Sequence, residues 1–205
     1  MINRFIKRVF DLLICSICLV VFFVPMVFII ALMLLAQGRP VFFKQLRPGM
    51  NEKPFELIKF RTMAQDLNQY DAKNIQISDE ERLTKIGRVL RSYSLDELPS
   101  LINVLRGEMS LVGPRPLLMH YLKIYSREHS KRHLLKPGIT GWAQVNGRNA
   151  ISWPQKLELD VWYVKNQSFL LDLKILILTI IKVLKKDGIG SNGESTGEEF
   201  KGYNE

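Results

Sequence analysis

No charged residue occurs between Asp11 and Arg39, and this one run decides most of what the chain can be. A stretch of that length can cross a hydrocarbon core of about 30 Å as a helix. It is much longer than the apolar region of a cleaved signal peptide, Asp11 precedes it, and no clear small-x-small cleavage site follows. Residues 1–38 are therefore read as a membrane anchor. Two features speak against a plain span. Arg4, Lys7 and Arg8 flank one end and Arg39, Lys44 and Arg47 the other, so the positive-inside rule pulls both ends to the cytoplasmic side. Pro25, near the middle, lacks an N–H and crowds the carbonyl of Val21, which bends a helix. A bent helix with two cytoplasmic ends is a re-entrant hairpin. A proline-kinked single span satisfies the same residues where neighbouring groups bond the freed carbonyl, so both stay open at this point.

A second amphipathic element, DLKILILTIIKVLKK, runs from Asp172 to Lys186. At helical spacing Leu173, Leu176, Ile177, Ile180, Val183 and Leu184 share one face, opposite Asp172, Lys174, Thr179, Lys182, Lys185 and Lys186. Its lysine-rich face favours a helix lying in the membrane interface. Residues 191–205 read as a flexible polar tail. This leaves residues 39–190, interfacial helix included, as one α+β unit. In it PVFFKQ and PFELIKFRTM flank Pro48-Gly49 and predict a β-hairpin. Helices are expected over 79–93, Leu95 to Arg106, Pro116 to His129 and Trp153 to Asn166, the last opened by Ser152 and Gln155 at capping-box spacing.

The chain carries 29 Lys and Arg against 20 Asp and Glu, a net charge of +9. That attracts anions without choosing among nucleic acid, an acidic membrane surface and a phosphorylated small molecule. Cys15 and Cys18 lie inside the apolar run as packing residues. With no disulfide framework, the chain suits a reducing cytoplasmic face.

Against this basic background Asp96 and Glu97 stand side by side in SLDELPSLINVLRGEMSLVGPRP. The plain reading is a capping box, Ser94 with Glu97, opening a helix. The other reading comes from the surroundings: Lys59, Arg61, Arg88, Arg91, Arg115, Lys136 and Arg148, with Gly113, Gly138 and Gly147 to bring backbone N–H groups near an anion. Two carboxylates among such cations suit phosphoryl transfer. Mg²⁺ takes carboxylate and phosphate oxygens, and an aspartate can accept a phosphoryl group as an acyl phosphate. Asp96 and Glu97 are thus candidate metal ligands as well as catalytic groups. His129 and His133, at i,i+4, lack a metal-site context, and His120 reads as structural. Trp142, Trp153 and Trp162 read as packing residues. No P-loop, dinucleotide fingerprint or nucleophile elbow is present. Two other readings fit the charge: a membrane adaptor for anionic lipid or nucleic acid, and a Mg-dependent phosphatase.

The blocks KRVFDLL, RPGMNEKPFELIKFRTM, SLDELPSLINVLRGEMSLVGPRP, PGITGWAQVNGRNAISW and LDVWYVKN with SFLLDLKIL, in this order, resemble the bacterial sugar transferase family, the small monotopic phosphoglycosyl transferases. The compact length and RNAISW look most similar to the type that transfers diacetylbacillosamine phosphate to undecaprenyl phosphate. The resemblance implies that Asp96 attacks a UDP-sugar and expels UMP, that undecaprenyl phosphate then takes the phosphosugar, and that Glu97 helps bind Mg²⁺. It implies substrate contacts from Lys59, Arg91, Arg115, Arg148 and Asp160, and from Arg61, Pro116, Gln144, Gly147 and Tyr163 in the same blocks. It also implies the re-entrant hairpin, with both anchors in the cytoplasmic leaflet of the inner membrane and no nucleic-acid partner. Relatives commonly break the membrane helix with Ser-Pro, whereas Val24-Pro25 stands here. The extra N-terminal spans of larger relatives are missing, so a minimal catalytic unit is expected. The sequence fixes neither the donor sugar nor an oligomeric state; N-acetylated amino sugars are preferred on the resemblance, with hexoses and N-acetylgalactosamine open.

Overall fold

Pro25 leaves its mark one turn ahead of itself. In the computed structural model, which describes residues 2–64, 79–147, 151–185, 200 and 202, helix α1 (Ile2–Val21) and helix α2 (Phe23–Gln37) are interrupted only at Phe22. Proline has no N–H for the Val21 carbonyl and its ring crowds that group, while Phe22 N still donates to Cys18 O and Met26 N to Phe22 O, both at 2.8 Å. Arg4–Gln37 is long and apolar enough to cross a membrane, with mean hydropathy 3.1 in its most apolar window.

Both halves of this segment are held by the same domain. On α1, Arg8 donates to the carbonyls of Val104 (2.6 Å) and Leu105 (2.9 Å), Asp11 accepts from Ser110 Oγ (2.7 Å), and Cys15 is fully buried, its Sγ donating to Leu101 O. On α2, Ile29 and Met33 pack with Phe60 and Leu90. Between these contacts Val20, Val21, Phe23 and Val24 are each more than 60% exposed.

Strands β1 (Phe42–Pro48) and β2 (Pro54–Phe60) form the expected antiparallel hairpin, with Phe42 opposite Phe60 and Lys44 opposite Ile58. The outer edge of β2 is closed by side chains in place of a third strand. Ser100 Oγ donates to Ile58 O, and Asn103 accepts from Ile58 N while donating to Glu56 O, which satisfies an edge that would otherwise be open.

The helix expected over 79–93 is two, α3 (Asp79–Arg82) and α4 (Lys85–Ser92), because Leu83 forms a β-bridge with Met63 and Thr84 caps α4 by accepting from Gly87 N. The helix expected from Leu95 is a 3₁₀ turn over Leu95–Ser100, followed by α5 (Leu101–Arg106). Pro116 to His129 does not form the expected helix. It holds a 3₁₀ turn at Met119–Lys123 and the start of α6 (Arg127–Ser130), which Ser126 opens by accepting from His129 N.

Strands β3 (Ser110–Val112) and β4 (Gly138–Thr140) form a short parallel pair that the sequence did not announce. Gly113 and Gly138 serve this contact and not an anion: a methyl group on Gly138 would lie 2.1 Å from Gly113 N. Three helices follow: α7 (Trp142–Val145), α8 (Trp153–Asn166), capped by Ser152 and Gln155 as expected, and α9 (Phe169–Lys185).

Helix α9 packs through a mixed face: Ile175 and Asp172 are buried, while Lys174 and Lys185 are exposed. Asp172 is 2% exposed and accepts from Lys7 Nζ (2.8 Å), Tyr163 OH (2.6 Å) and Gln167 Nε2 (3.0 Å). Thr179 Oγ1 lies 2.7 Å from Thr140 Oγ1. Leu170, Ile177, Ile180 and Leu184 face outward, each more than half exposed. Of the expected polar tail only Phe200 and Gly202 fall among the described residues, and Phe200 is buried against Tyr121 and Trp153.

Candidate active site

The carboxylate pair is carried by the 3₁₀ turn, and its entrance explains the geometry. Ser94 adopts a left-handed conformation (φ 55°, ψ 21°) and its side chain caps nothing. The capping-box reading of Ser94 and Glu97 is therefore corrected: a cap residue needs extended backbone to aim its oxygen at the third N–H, which φ 55° denies. Glu97 is released to turn elsewhere. Its Oε1 accepts from Lys59 Nζ at 2.6 Å and from Arg115 Nη2 at 3.0 Å. β2 supplies Lys59, and the segment after β3 supplies Arg115.

Asp96 is 9% exposed, and among the described residues its carboxylate accepts no hydrogen bond. Burial and the neighbouring charge of Glu97 push it above the ordinary carboxylate range, and Lys59, Arg91 and Arg115 offset only part of this. Burial would raise Glu97 too. There the charges of Arg115 and Lys59, with their hydrogen bonds, outweigh it and hold the carboxyl far below its ordinary range. Two neighbouring acids thus divide in character: one locked between cations, the other a buried carboxylate open to a reactant or metal. Two carboxylates are the donor set a divalent ion would use here, and no third His, Cys, Asp or Glu joins them among the described residues. Asp96 and Glu97 Oε2, which has no hydrogen-bond partner among the described residues, would hold it.

The other expected site residues sort into two groups. Arg91 stands beside the pair, its Nε donating to Thr62 Oγ1 at 3.0 Å. Gln144 lines the adjoining cleft together with Glu97 and Arg115, and Gly147 ends the segment after α7 at φ +155°. Arg148 lies outside the described residues. The structure does not bring Arg61, Asp160 or Tyr163 to the pair. Arg61 is 7% exposed and donates to the carbonyls of Gln37 (2.7 Å) and Gly38 (3.1 Å), closing the end of α2. Asp160 is buried under Arg132, and Tyr163 OH is spent on Asp172 and Val112 O. Pro116 is buried, its carbonyl accepting from Arg47.

Sequence reasoning missed Arg132, which sits between His129 and His133. It is 2% exposed, and its Nη2 donates at 2.6 Å both to Asp160 Oδ2 and to the carbonyl of Arg115. The histidines hold no metal cluster among the described residues, and His120 is an exposed ring set edge-on to Tyr121. Trp142 and Trp162 stack on each other, ring centres 5.1 Å apart.

This arrangement extends through nearly the whole chain as a family pattern: residues 2–186 match the bacterial sugar transferase family. The chain belongs to that family. The sugar transferase EpsL of Bacillus subtilis is 56% identical over 197 residues, 96% of each chain. The UDP-N-acetylgalactosamine-undecaprenyl-phosphate N-acetylgalactosaminephosphotransferase of Aeromonas hydrophila is 39% identical over 189 residues, covering 89% of this chain and 44% of that one. The undecaprenyl-phosphate galactose phosphotransferase of Salmonella typhimurium is 36% identical over 200 residues, covering 91% and 42%. This bacterial sugar transferase chain therefore spans nearly all of EpsL and about two fifths of the longer relatives.

Proposed function

We propose that the protein transfers a sugar 1-phosphate from a UDP-sugar to undecaprenyl phosphate, an early membrane step of glycoconjugate assembly, through a phosphosugar-aspartate intermediate. The observation that carries this is the division of the pair, with Glu97 held by Lys59 and Arg115 and Asp96 left as a buried carboxylate beside them. In the first step an Asp96 oxygen attacks the sugar-side phosphorus and the bond to the bridging oxygen breaks. UMP leaves with that electron pair. In the second, an oxygen of the lipid phosphate attacks the same phosphorus and displaces the Asp96 carboxylate, giving the lipid diphosphosugar.

In this reading Arg115 and Arg91 bind phosphate oxygens and counter charge growing on the leaving group. Mg²⁺ held by Asp96 and Glu97 would neutralise the diphosphate so that a carboxylate can approach it. Burial of Asp96 excludes water, which limits hydrolysis of the acyl phosphate. The adaptor and phosphatase readings gain nothing from the family.

The same reading makes the anchor re-entrant on the cytoplasmic face of the inner membrane. Supporting it, both halves of Arg4–Gln37 pack on one domain while the residues around Phe22 are bare, and α9 turns apolar residues outward. For the donor we favour a UDP-linked N-acetylated amino sugar, the diacetylbacillosamine type included; relatives are named for galactose and N-acetylgalactosamine.

The test is a donor-only reaction. With Mg²⁺, a panel of UDP-sugars and no lipid, the enzyme should release about one equivalent of UMP and gain the mass of a phosphosugar on the peptide holding Asp96. Asp96→Asn should do neither. Full turnover by Asp96→Asn would overturn the reading.

A further inference from the structure

Phe200 belongs to the stretch whose composition reads as a polar tail, yet it is 5% exposed. Three aromatic rings form its socket. Its ring centre lies 5.8 Å from Tyr121, edge-on at 89°, 5.7 Å from Trp153, and 6.3 Å from Tyr125, on which it stacks at 26°. The Phe200 N–H donates to Tyr121 OH at 3.3 Å. Gly202, at φ +92°, lies against the same element, since a methyl group on it would sit 3.6 Å from Ile124 Cβ. A chain end held in one place loses conformational freedom, and removing this ring from water against three others offsets that loss.

The socket is continuous with the support of the carboxylate pair. Tyr125 OH accepts from Arg132 Nη1 at 3.2 Å, and the Arg132 guanidinium lies over the Tyr125 ring, 5.7 Å from its centre. Arg132 donates to the carbonyl of Arg115, and Arg115 to Glu97. Leu117 and Leu118, which pack in the same cluster as Phe200, follow Arg115 and Pro116 directly in the chain. The turn that carries Arg115 therefore rests on this cluster twice, through Arg132 and through its own next two side chains.

We infer that Phe200 is a positioning residue for the transfer reaction: its ring, seated on Tyr125, fixes Arg132 and through it the turn from which Arg115 reaches Glu97. This rests on the transferase reading given above. Without the Phe200 ring a cavity is left beside Tyr125, and close-packed neighbours relax into such a space only in part. Tyr125 then holds Arg132 less firmly, and Arg115 loses the precise placement that countering charge on a leaving group demands. A chain end remote from the carboxylates in sequence thus sets how well the donor phosphate is met.

The experiment uses the full chain in detergent or nanodiscs and measures the rate of donor-only UMP release at saturating UDP-sugar, well below the unfolding temperature of every variant. Phe200→Ala should slow it about tenfold, the scale of a misplaced catalytic group. Phe200→Tyr, which keeps the ring, should restore most of the rate. Tyr125→Phe, which keeps the socket but removes the hydroxyl bonded to Arg132, should also slow release. The two changes together should cost little more than Phe200→Ala alone, because both act through Arg132. If Phe200→Ala does not fold, Phe200→Leu, which keeps most of the volume without the ring, takes its place in the same cycle. A donor-only reaction that fails in the parent enzyme would sink the transferase reading itself. Folded Phe200 variants that release UMP at the parent rate, or whose loss simply multiplies with that of Tyr125→Phe, would show that Phe200 only fills space and overturn the positioning role alone.

Discussion

Arg132 Nη2 donates at 2.6 Å both to Asp160 Oδ2 and to the backbone carbonyl of Arg115. The motif residue Asp160 therefore acts two bonds away from the chemistry: it fixes Arg132, and Arg132 fixes the turn from which Arg115 reaches Glu97. Removing one member of a buried pair leaves the other charge uncompensated, at a cost of about 3–5 kcal/mol. Asp160→Ala should lower the unfolding temperature and the turnover together. Arg132→Met combined with Asp160→Leu should regain most of the stability, since an apolar pair of similar volume fills the space. Turnover should stay about tenfold or more below the parent, because the Arg115 carbonyl has lost its donor and Arg115 its position. Thermal unfolding and UMP release on the same samples separate the two effects.

His133 gives the protein an acid limb. It is 6% exposed, and burial, with the charge of Arg132, pushes its pKa down from 6.5 to about 4 despite a hydrogen bond with the backbone of Gly49. The folded state thus resists a proton that the unfolded chain accepts below pH 6.5. Stability from this residue is complete above that pH and falls progressively toward pH 4, by up to about 3 kcal/mol. His133→Asn, which keeps a donor near Gly49, should flatten this limb between pH 4 and 6.5. Unfolding temperature recorded against pH for both proteins is the check.

Arg61 separates position in a motif from contact with substrate. It lies two residues beyond Lys59, yet its guanidinium closes the end of α2 through the carbonyls of Gln37 and Gly38. A charged hydrogen bond of this kind is worth about 1.5–3 kcal/mol. Arg61→Met should lose stability on that scale and leave the KM for the UDP-sugar within about twofold of the parent. Lys59→Met should do the opposite, because it breaks the contact with Glu97 while the end of α2 stays closed.

These contrasts show which parts of the structure were local enough to be legible. The hairpin was, since apolar runs flank Pro48-Gly49, and so was α8, since Ser152 and Gln155 are neighbours in sequence. The carboxylate pair was visible as chemistry but not as geometry. S-x-x-E spacing says nothing of whether Ser94 is extended or left-handed, and that decides whether Glu97 caps a helix or meets Lys59 and Arg115. The β3–β4 pair joins two three-residue strands far apart in sequence, with no periodicity to betray it. For α9 the pattern sorted apolar from polar positions but not buried from exposed ones, since Ile175 and Asp172 are buried while Leu184 and Lys174 are exposed. Which face turns to protein depends on the solvent outside, and the inward placement of Asp172 and Thr179 needed the fold.

Among the described glycines, Gly87 leaves the least room for a side chain. A methyl group there would lie 2.0 Å from Thr62 O and 2.7 Å from Thr62 Cα, so α4 and the segment after β2 are in backbone contact. Thr62 is also tied to α4 from both sides: its carbonyl accepts from Thr84 N (3.0 Å) and Oγ1 (3.2 Å), and its Oγ1 accepts from Arg91 Nε. Gly87→Ala must push α4 away from Thr62, which costs about 1–3 kcal/mol as overpacking and carries Arg91 away from Asp96. The expected outcome is a lowered unfolding temperature and a donor-only UMP release slowed by about tenfold. Thr62→Ala tests the second half alone, because it removes one hydrogen-bond partner of Arg91 without a clash; it should slow UMP release while leaving the unfolding temperature closer to the parent. If Gly87→Ala unfolds and turns over like the parent, α4 does not set the position of Arg91.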